Sequence, residues 1–185
     1  MFNLVARVDY EVIGEPTSIN SARQLAKDNR YQFQWWALSL VKAKPVGGQE
    51  GSKQGKKGKD RGIDGVIRFI DDPKGKPSSV VIQVKSEHVK SGDIRDLIGT
   101  VENEKAAIGV FITLEGPSED MKVEAIKAGF YSSEMWQQKY PKIQILTVEE
   151  LLGDAQIQMP PSGYGTFKQA PKVQKEEGTQ SELGI

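Results

Sequence analysis

Apolar positions along this chain change their spacing several times, and each change marks an element. Val66, Ile67 and Phe69, then Val80, Val81, Ile82 and Val84, fall in two short runs separated by Asp72-Pro73-Lys74-Gly75-Lys76-Pro77. Runs of this length bounded by Pro and Gly predict two strands joined by a turn. Strand side chains alternate, so Gln83 and Lys85 share one face while Ile82 and Val84 take the other. Asp64 stands just before the first run, in Gly62-Ile63-Asp64-Gly65. If it lies opposite Gln83 or Lys85, the hairpin midpoint falls between Pro73 and Gly75, among the turn residues. Pairing Asp64 with Lys85 sets Ile67 against Ile82 and Phe69 against Val80, a coherent apolar face. A carboxylate, an amide and an amine then gather at one end of the hairpin.

Before the hairpin, Val5, Val8, Tyr10, Val12 and Ile13 predict a short strand within Leu4–Ile13, closed by Gly14-Glu15-Pro16. Thr17 or Ser18 can cap a helix running through Lys27, with Ala22, Leu25 and Ala26 inward. Tyr31 to Val41 holds Phe33, Trp35, Trp36, Leu38 and Leu40 and is apolar most of the way round, which predicts a largely covered helix. The adjacent Trp35 and Trp36 read as packing residues rather than a base-stacking platform. Pro45 to Arg61 carries Gly, Lys and Arg with no large apolar residue after Val46, and is expected to be a loop.

After the hairpin, Ser91-Gly92-Asp93 opens a helix from Ile94 to about Lys105, capped by Asp93, with Ile94, Leu97, Ile98 and Val101 as its stripe. Ala106 to Leu114 is almost unbroken apolar sequence and fits a strand covered on both faces. Pro117-Ser118-Glu119-Asp120 begins a helix that ends at Gly129. Ile143 to Leu146 is a last strand, and Thr147 to Leu152 a capped final helix. Strands that alternate with helices after an antiparallel hairpin indicate an α/β sandwich with a central mixed sheet flanked by helices. The expected organisation is one domain over residues 1–160 and a disordered tail over 161–185, where Pro, Gly, Lys, Gln and Glu leave little to bury.

Composition narrows the chemistry. The 25 basic and 25 acidic residues cancel, so attraction to nucleic acid must come from local patches. The absence of Cys removes disulfides and thiolate metal sites, and a single His makes a zinc hydrolase a poor fit. No apolar run is long enough to span a membrane and no signal peptide opens the chain, so a soluble, cytoplasmic protein without a membrane partner is expected. The Gly/Lys loop does not make a phosphate-binding P-loop: Lys59 is followed by Asp60, and Lys53 stands where that motif needs its first Gly. It is either a solvated basic loop or one that contacts phosphates.

Hydrolysis of a phosphodiester calls for a hard cation to polarise the phosphate and lower the pKa of water, and for a group that orients this water. Magnesium takes oxygen ligands and is often held by only one or two carboxylates. Asp64 could serve as the carboxylate, with the Gln83 side-chain oxygen and the Val84 carbonyl completing the set, and Lys85 orienting the water or offsetting charge. The plain alternative is that an Asp beside a Gly is a turn residue and a strand-end Lys reaches solvent. Glu87 is a further acid on the same face if the strand continues, and His88 follows it.

At Gly62-Ile63-Asp64-Gly65 and Gln83-Val84-Lys85 the chain resembles the restriction-endonuclease-like superfamily named for its PD-(D/E)xK motif, in the Mrr-type branch where Gln replaces the second acid. The likeness extends over most of Tyr10 to Pro161. Tyr31 to Leu38, Arg95 to Gly99, Glu104 to Val110, Ala128 to Tyr131, and Ile143 to Thr147 followed by Glu149 to Leu152 resemble a segment at the C-terminus of certain site-specific DNA methyltransferases. The resemblance implies a restriction-endonuclease-like sandwich, with Asp64 as metal ligand, Gln83 at the second acidic position and Lys85 as catalytic lysine. Many relatives carry a Glu on the first core helix as an extra ligand; here that position is Gln34.

Two functions follow. One is a Mg²⁺-dependent (or Mn²⁺-dependent) DNA endonuclease, or the nuclease module of a restriction–modification or DNA-processing system, with Lys53, Lys56, Lys57, Lys59 and Arg61 on phosphates. The other, favoured by Gln34 and Gln83, is a catalytically degraded DNA-binding or docking module associated with a DNA methyltransferase or another restriction–modification subunit. A homodimer would suit cutting both strands, although no residue marks an interface.

Overall fold

Ser18 starts the first helix. Its Oγ accepts from the backbone N–H of Ser21 at 3.2 Å, and Ser21 Oγ accepts from Ser18 N at 3.1 Å, a reciprocal cap for two otherwise unpaired donors. The computed structural model describes residues 14–46, 62–72 and 74–161. Helix α1 (Ile19–Asp28) is followed at once by α2 (Arg30–Leu40), with Asn29 between them accepting from Tyr31 N and Gln32 N. Then come β1 (Lys44–Pro45), β2 (Gly65–Ile70), β3 (Pro77–Lys85), α3 (Ser91–Asn103), β4 (Ile108–Thr113), α4 (Glu119–Lys127), β5 (Phe130–Ser132), β6 (Lys139–Pro141), β7 (Ile143–Thr147) and α5 (Val148–Leu152).

Five strands form the main sheet in the order β1-β2-β3-β4-β7. The β1, β2 and β3 pairings are antiparallel, whereas β3, β4 and β7 run parallel, so the sheet is mixed as expected. Phe33, Trp36, Ala37 and Leu38 of α2 pack with Val80, Ile82, Ile108, Val110 and Ile112 on one face, together with residues of α1 and α5. Ile94, Leu97 and Val101 of α3 and Met121 of α4 cover Val81, Phe111 and Ile143 on the other. Strand β4 is buried at every position, which accounts for its unbroken apolar sequence. Burial of each large aliphatic side chain there stabilises the fold by about 1.5–3 kcal/mol. Gly109 is needed for that packing, since a Cβ would lie 2.6 Å from Val101 and 2.9 Å from Ile143.

Of the two pairings open to Asp64, the structure takes the one that sets it level with Gln83, two residues from the Lys85 pairing. Ile67 lies opposite Val80 and Phe69 opposite Ser78, rather than Ile82 and Val80. The turn is therefore tighter on the β3 side. Because the side-chain period is two, the shift leaves every apolar residue on its expected face, and the sequence pattern could not distinguish the registers. Pro45, expected in a loop, instead pairs with Gly65 at the sheet edge, where Pro is tolerated because its nitrogen needs no partner. Helix α3 starts three residues earlier than expected, at Ser91 with Lys90 as N-cap; Asp93 is its third residue and accepts from Lys90 N at 2.8 Å.

The small β5–β6 sheet has no counterpart in the sequence pattern. Its anchor is Asp71, buried at the end of β2, which accepts from Tyr131 Oη at 2.5 Å, Ser133 Oγ at 2.5 Å and Met135 N at 3.3 Å. Burial, with the Asp71 carboxylate beside it, pushes the Tyr131 phenol up to about 12. Near the chain's other end, Gln144 donates to Gln158 O at 2.7 Å and accepts from Gln158 N at 2.9 Å, which binds the segment after α5 to the sheet. The strand expected within Leu4–Ile13, the basic loop and the tail after Pro161 lie outside the described residues. None of the described helices is long and apolar enough to cross a membrane.

Candidate functional site

Asp64 is positioned by backbone bonds on both sides. Its N–H donates to Ile82 O at 2.8 Å and its carbonyl accepts from Val46 N at 2.9 Å, so it sits between β3 and the chain leaving β1. Those bonds aim its half-buried carboxylate along the end of β3. Asp64 Oδ2 accepts from Val84 N at 2.6 Å, and Oδ1 accepts from Gln34 Nε2 at 2.7 Å. Gln34 thus reaches the expected place from α2, across thirty residues of sequence.

Gln83 lies against Gly62. A Cβ at Gly62 would come 2.6 Å from Gln83 Nε2, and Gly62 itself has φ +68, a left-handed conformation that glycine adopts without steric cost. The glycine two residues before Asp64 therefore both turns the chain and makes room for the amide. Lys85, at the end of β3, is 30 % exposed and its Nζ lies 2.6 Å from Asp93 Oδ1. Asp93 is only 13 % exposed and spends its other oxygen on Lys90 N, so one carboxylate starts α3 and neutralises Lys85.

The structure brings Asp64, Gln34 and Val84 into direct contact, with Gln83 and Lys85 on the same strand end. It leaves Glu87 and His88 out. Strand β3 stops at Lys85, so the continuation that would have put Glu87 on the shared face does not occur. His88 takes a left-handed φ of 55, and the two side chains point to solvent with His88 Nε2 3.9 Å from Glu87 Oε2. Lys53, Lys56, Lys57, Lys59 and Arg61 lie outside the described residues. Asp93 is the residue that sequence reasoning missed as part of the site. Its capping role was legible, but an acid eight residues from Lys85 gave no signal of the ion pair.

These side chains do not fit a divalent cation. Among the described residues no three His, Cys, Asp or Glu side chains come together. Among the described residues Asp64 is the one carboxylate at the position, and each of its oxygens takes a protein donor. The Gln34 amide turns its nitrogen, a donor, toward Asp64, since a carboxylate cannot donate in return. That nitrogen stands where an oxygen ligand would be required. Lys85, for its part, is held on Asp93.

A mixed sheet with two helical layers, an Asp ahead of the second strand and a Gln-x-Lys closing the third define a restriction-endonuclease-like protein. Residues 49–153 match the family described as NACHT-associated inactive Restriction Endonuclease 1, and the chain belongs to it. The same fold occurs in the solved structure of the MspJI restriction endonuclease in complex with a 27-mer oligonucleotide, with a TM-score of 0.51 and 16 % identity over 80 % of this chain and 34 % of that one. The chain thus spans about a third of that enzyme's length. None of the curated proteins compared with the chain matches it.

Proposed function

We propose that the chain is a non-catalytic restriction-endonuclease-like module that contacts nucleic acid, its former catalytic position now serving stability. The observation that carries this reading is the double acceptance at Asp64, from Gln34 Nε2 and Val84 N. Each oxygen keeps a second lone pair, but beside it Gln34 presents a donor instead of a charged oxygen ligand, so the cation would gain little charge at this position among the described residues. The family's description as inactive agrees with this. DNA is the nucleic acid to test, because the fold's solved neighbour was determined with an oligonucleotide. The family's association with NACHT makes a NACHT protein the proposed docking partner, with a DNA methyltransferase or another restriction–modification subunit as the alternative.

The placement of Asp64, Gln83 and Lys85 at adjoining strand ends favours the competing reading, a Mg²⁺- or Mn²⁺-dependent endonuclease. One experiment separates the two. Purified protein is incubated with either cation and supercoiled, linear or methylated DNA, beside Asp64→Ala and Lys85→Ala. No cutting is expected from any of the three proteins. Metal-dependent cutting that Lys85→Ala abolishes would establish the hydrolase instead.

A further inference from the structure

A cleft of about 500 Å³ opens beyond the carboxyl ends of β3 and β4, at the end of the sheet where Lys85 closes its strand. Open α/β sheets bind ligands in the crevice outside the carboxyl ends of their parallel strands. Ala26 and the buried Leu114 are its two apolar lining residues, and Ser86, the residue after Lys85, adds a hydroxyl. Arg23 and Lys27 reach it from α1 and Arg30 from the first position of α2.

Helix stability accounts for only one of these three cations: Lys27 stands in the last turn of α1, where the dipole favours it, and neither Arg23 nor Arg30 has that position. Arg23 and Lys27 are four residues apart on one helix, a spacing at which like charges repel. Arg30 opens α2, where the helix dipole disfavours a cation, and no acid stands in that helix's first turn. None of the three makes an ion pair among the described residues. Glu87 and Glu115 line the same cleft, yet neither closes on these cations: Glu87 stands nearest His88, at 3.9 Å. The charged groups are held around a space rather than collapsed into it, with cations in excess.

We propose that this cleft binds a phosphate-bearing ligand through Arg23, Lys27 and Arg30. Phosphate matches both guanidinium groups, which donate in paired fashion, and the compact charge of Lys27. The phosphates come either from a nucleic-acid strand or from a free nucleotide. In its strand form the inference rests on the nucleic-acid reading above and assigns residues to it; in its nucleotide form it stands apart from that reading.

Fluorescence anisotropy of the full chain tests it, with a labelled single-stranded and a labelled duplex oligonucleotide as two probes and a fluorescent adenosine nucleotide as the third. Arg23→Gln/Lys27→Gln/Arg30→Gln is compared with wild type over a range of salt. All three side chains are exposed, so the variant should keep the wild-type circular dichroism. It should bind whichever probe wild type binds about tenfold or more weakly, with an oligonucleotide salt slope lower by about one for each phosphate no longer neutralised. Lys74→Gln/Lys76→Gln, in the turn at the opposite end of the sheet, should bind as wild type does. Equal affinities for wild type and the triple variant, an equal loss in the control, or no binding of any probe by wild type would overturn the proposal. If wild type binds oligonucleotide and the triple variant binds it equally well, the cleft assignment fails and the nucleic-acid reading survives. If wild type binds only the nucleotide and the triple variant loses it, the cleft stands and the nucleic-acid reading falls.

Discussion

Replacing Gln34 by Glu would set a second carboxylate where an amide now donates to Asp64 at 2.7 Å. Two like charges at that distance disfavour joint ionisation, and the hydrogen bond is lost as well. Gln34→Glu should therefore destabilise the metal-free protein by about 1–3 kcal/mol, seen as a fall in Tm of about 2–4 °C per kcal/mol. Millimolar Mn²⁺ should restore much of that fall in the variant and leave wild-type Tm unmoved, because only the variant offers paired carboxylates. A wild-type Tm that rises with Mn²⁺ as much as the variant's would sink this account of the position. At this scale the sequence was informative in one direction. Asp64, Gln83 and Lys85 could be picked out by residue type and alternation, and Gln34 by the family resemblance alone. That Asp64 accepts from Gln34 and Val84, and that Lys85 leans on Asp93, depend on atoms brought together from separate elements.

The β5–β6 hairpin is short and poor in apolar residues, with Phe130 and Met135 left exposed, so its attachment falls to a buried polar contact. Asp71→Ala would strip the acceptor from Tyr131 Oη, Ser133 Oγ and Met135 N together. A cost of about 2–4 kcal/mol follows from leaving such donors without a partner. Amide exchange over residues 130–141 should quicken before that of β3 and β4; uniform exchange across the sheet would argue against a local anchor. Tyr131 adds a pH signature. Its folded pKa of about 12 lies above the ordinary value of 10.0, so the unfolded chain releases the proton first as pH rises. The stability that this group contributes is whole below pH 10 and is lost as pH climbs through 12. Tyr131→Phe should flatten that alkaline decline in a melting-temperature series. The sequence announced the long elements well: α1, α2, β4, α4 and α5 lie close to where their caps and apolar stripes put them. It did not announce β5 and β6, of three residues each, since neither has a period to read.

Across the whole molecule, β3 and β4 belong to both apolar layers: Val80 and Ile82 face one, Val81 the other, while Val110 and Ile112 are opposed by Phe111. Losing either layer exposes the other through those strands, so denaturant should unfold the protein in one transition. Far-ultraviolet circular dichroism and Trp fluorescence should give coincident midpoints, with Trp35 and Trp36 reporting on α2 and Trp136 on the β5–β6 turn. Separate midpoints would show the two helical layers to be independent. A cooperative frame of this kind would tolerate the degraded catalytic position proposed above, because other residues make the buried core.

The sequence by itself determined the class of fold and the identity of the residues at the strand ends. Both are encoded locally, in the switch between periods of 2 and 3.6 and in polar groups that a strand has no packing reason to carry. Only the tertiary structure decided the register of the hairpin, the pairing of Pro45 at the sheet edge and the partners of Asp64 and Lys85. A two-residue slip leaves the pattern of faces unchanged, and a hydrogen bond between Gln34 and Asp64 joins positions whose separation along the chain carries no signal. The cleft between α1, α2 and the strand ends belongs to the same group, since its three cations are scattered among ordinary surface charges until the helices are set against the sheet.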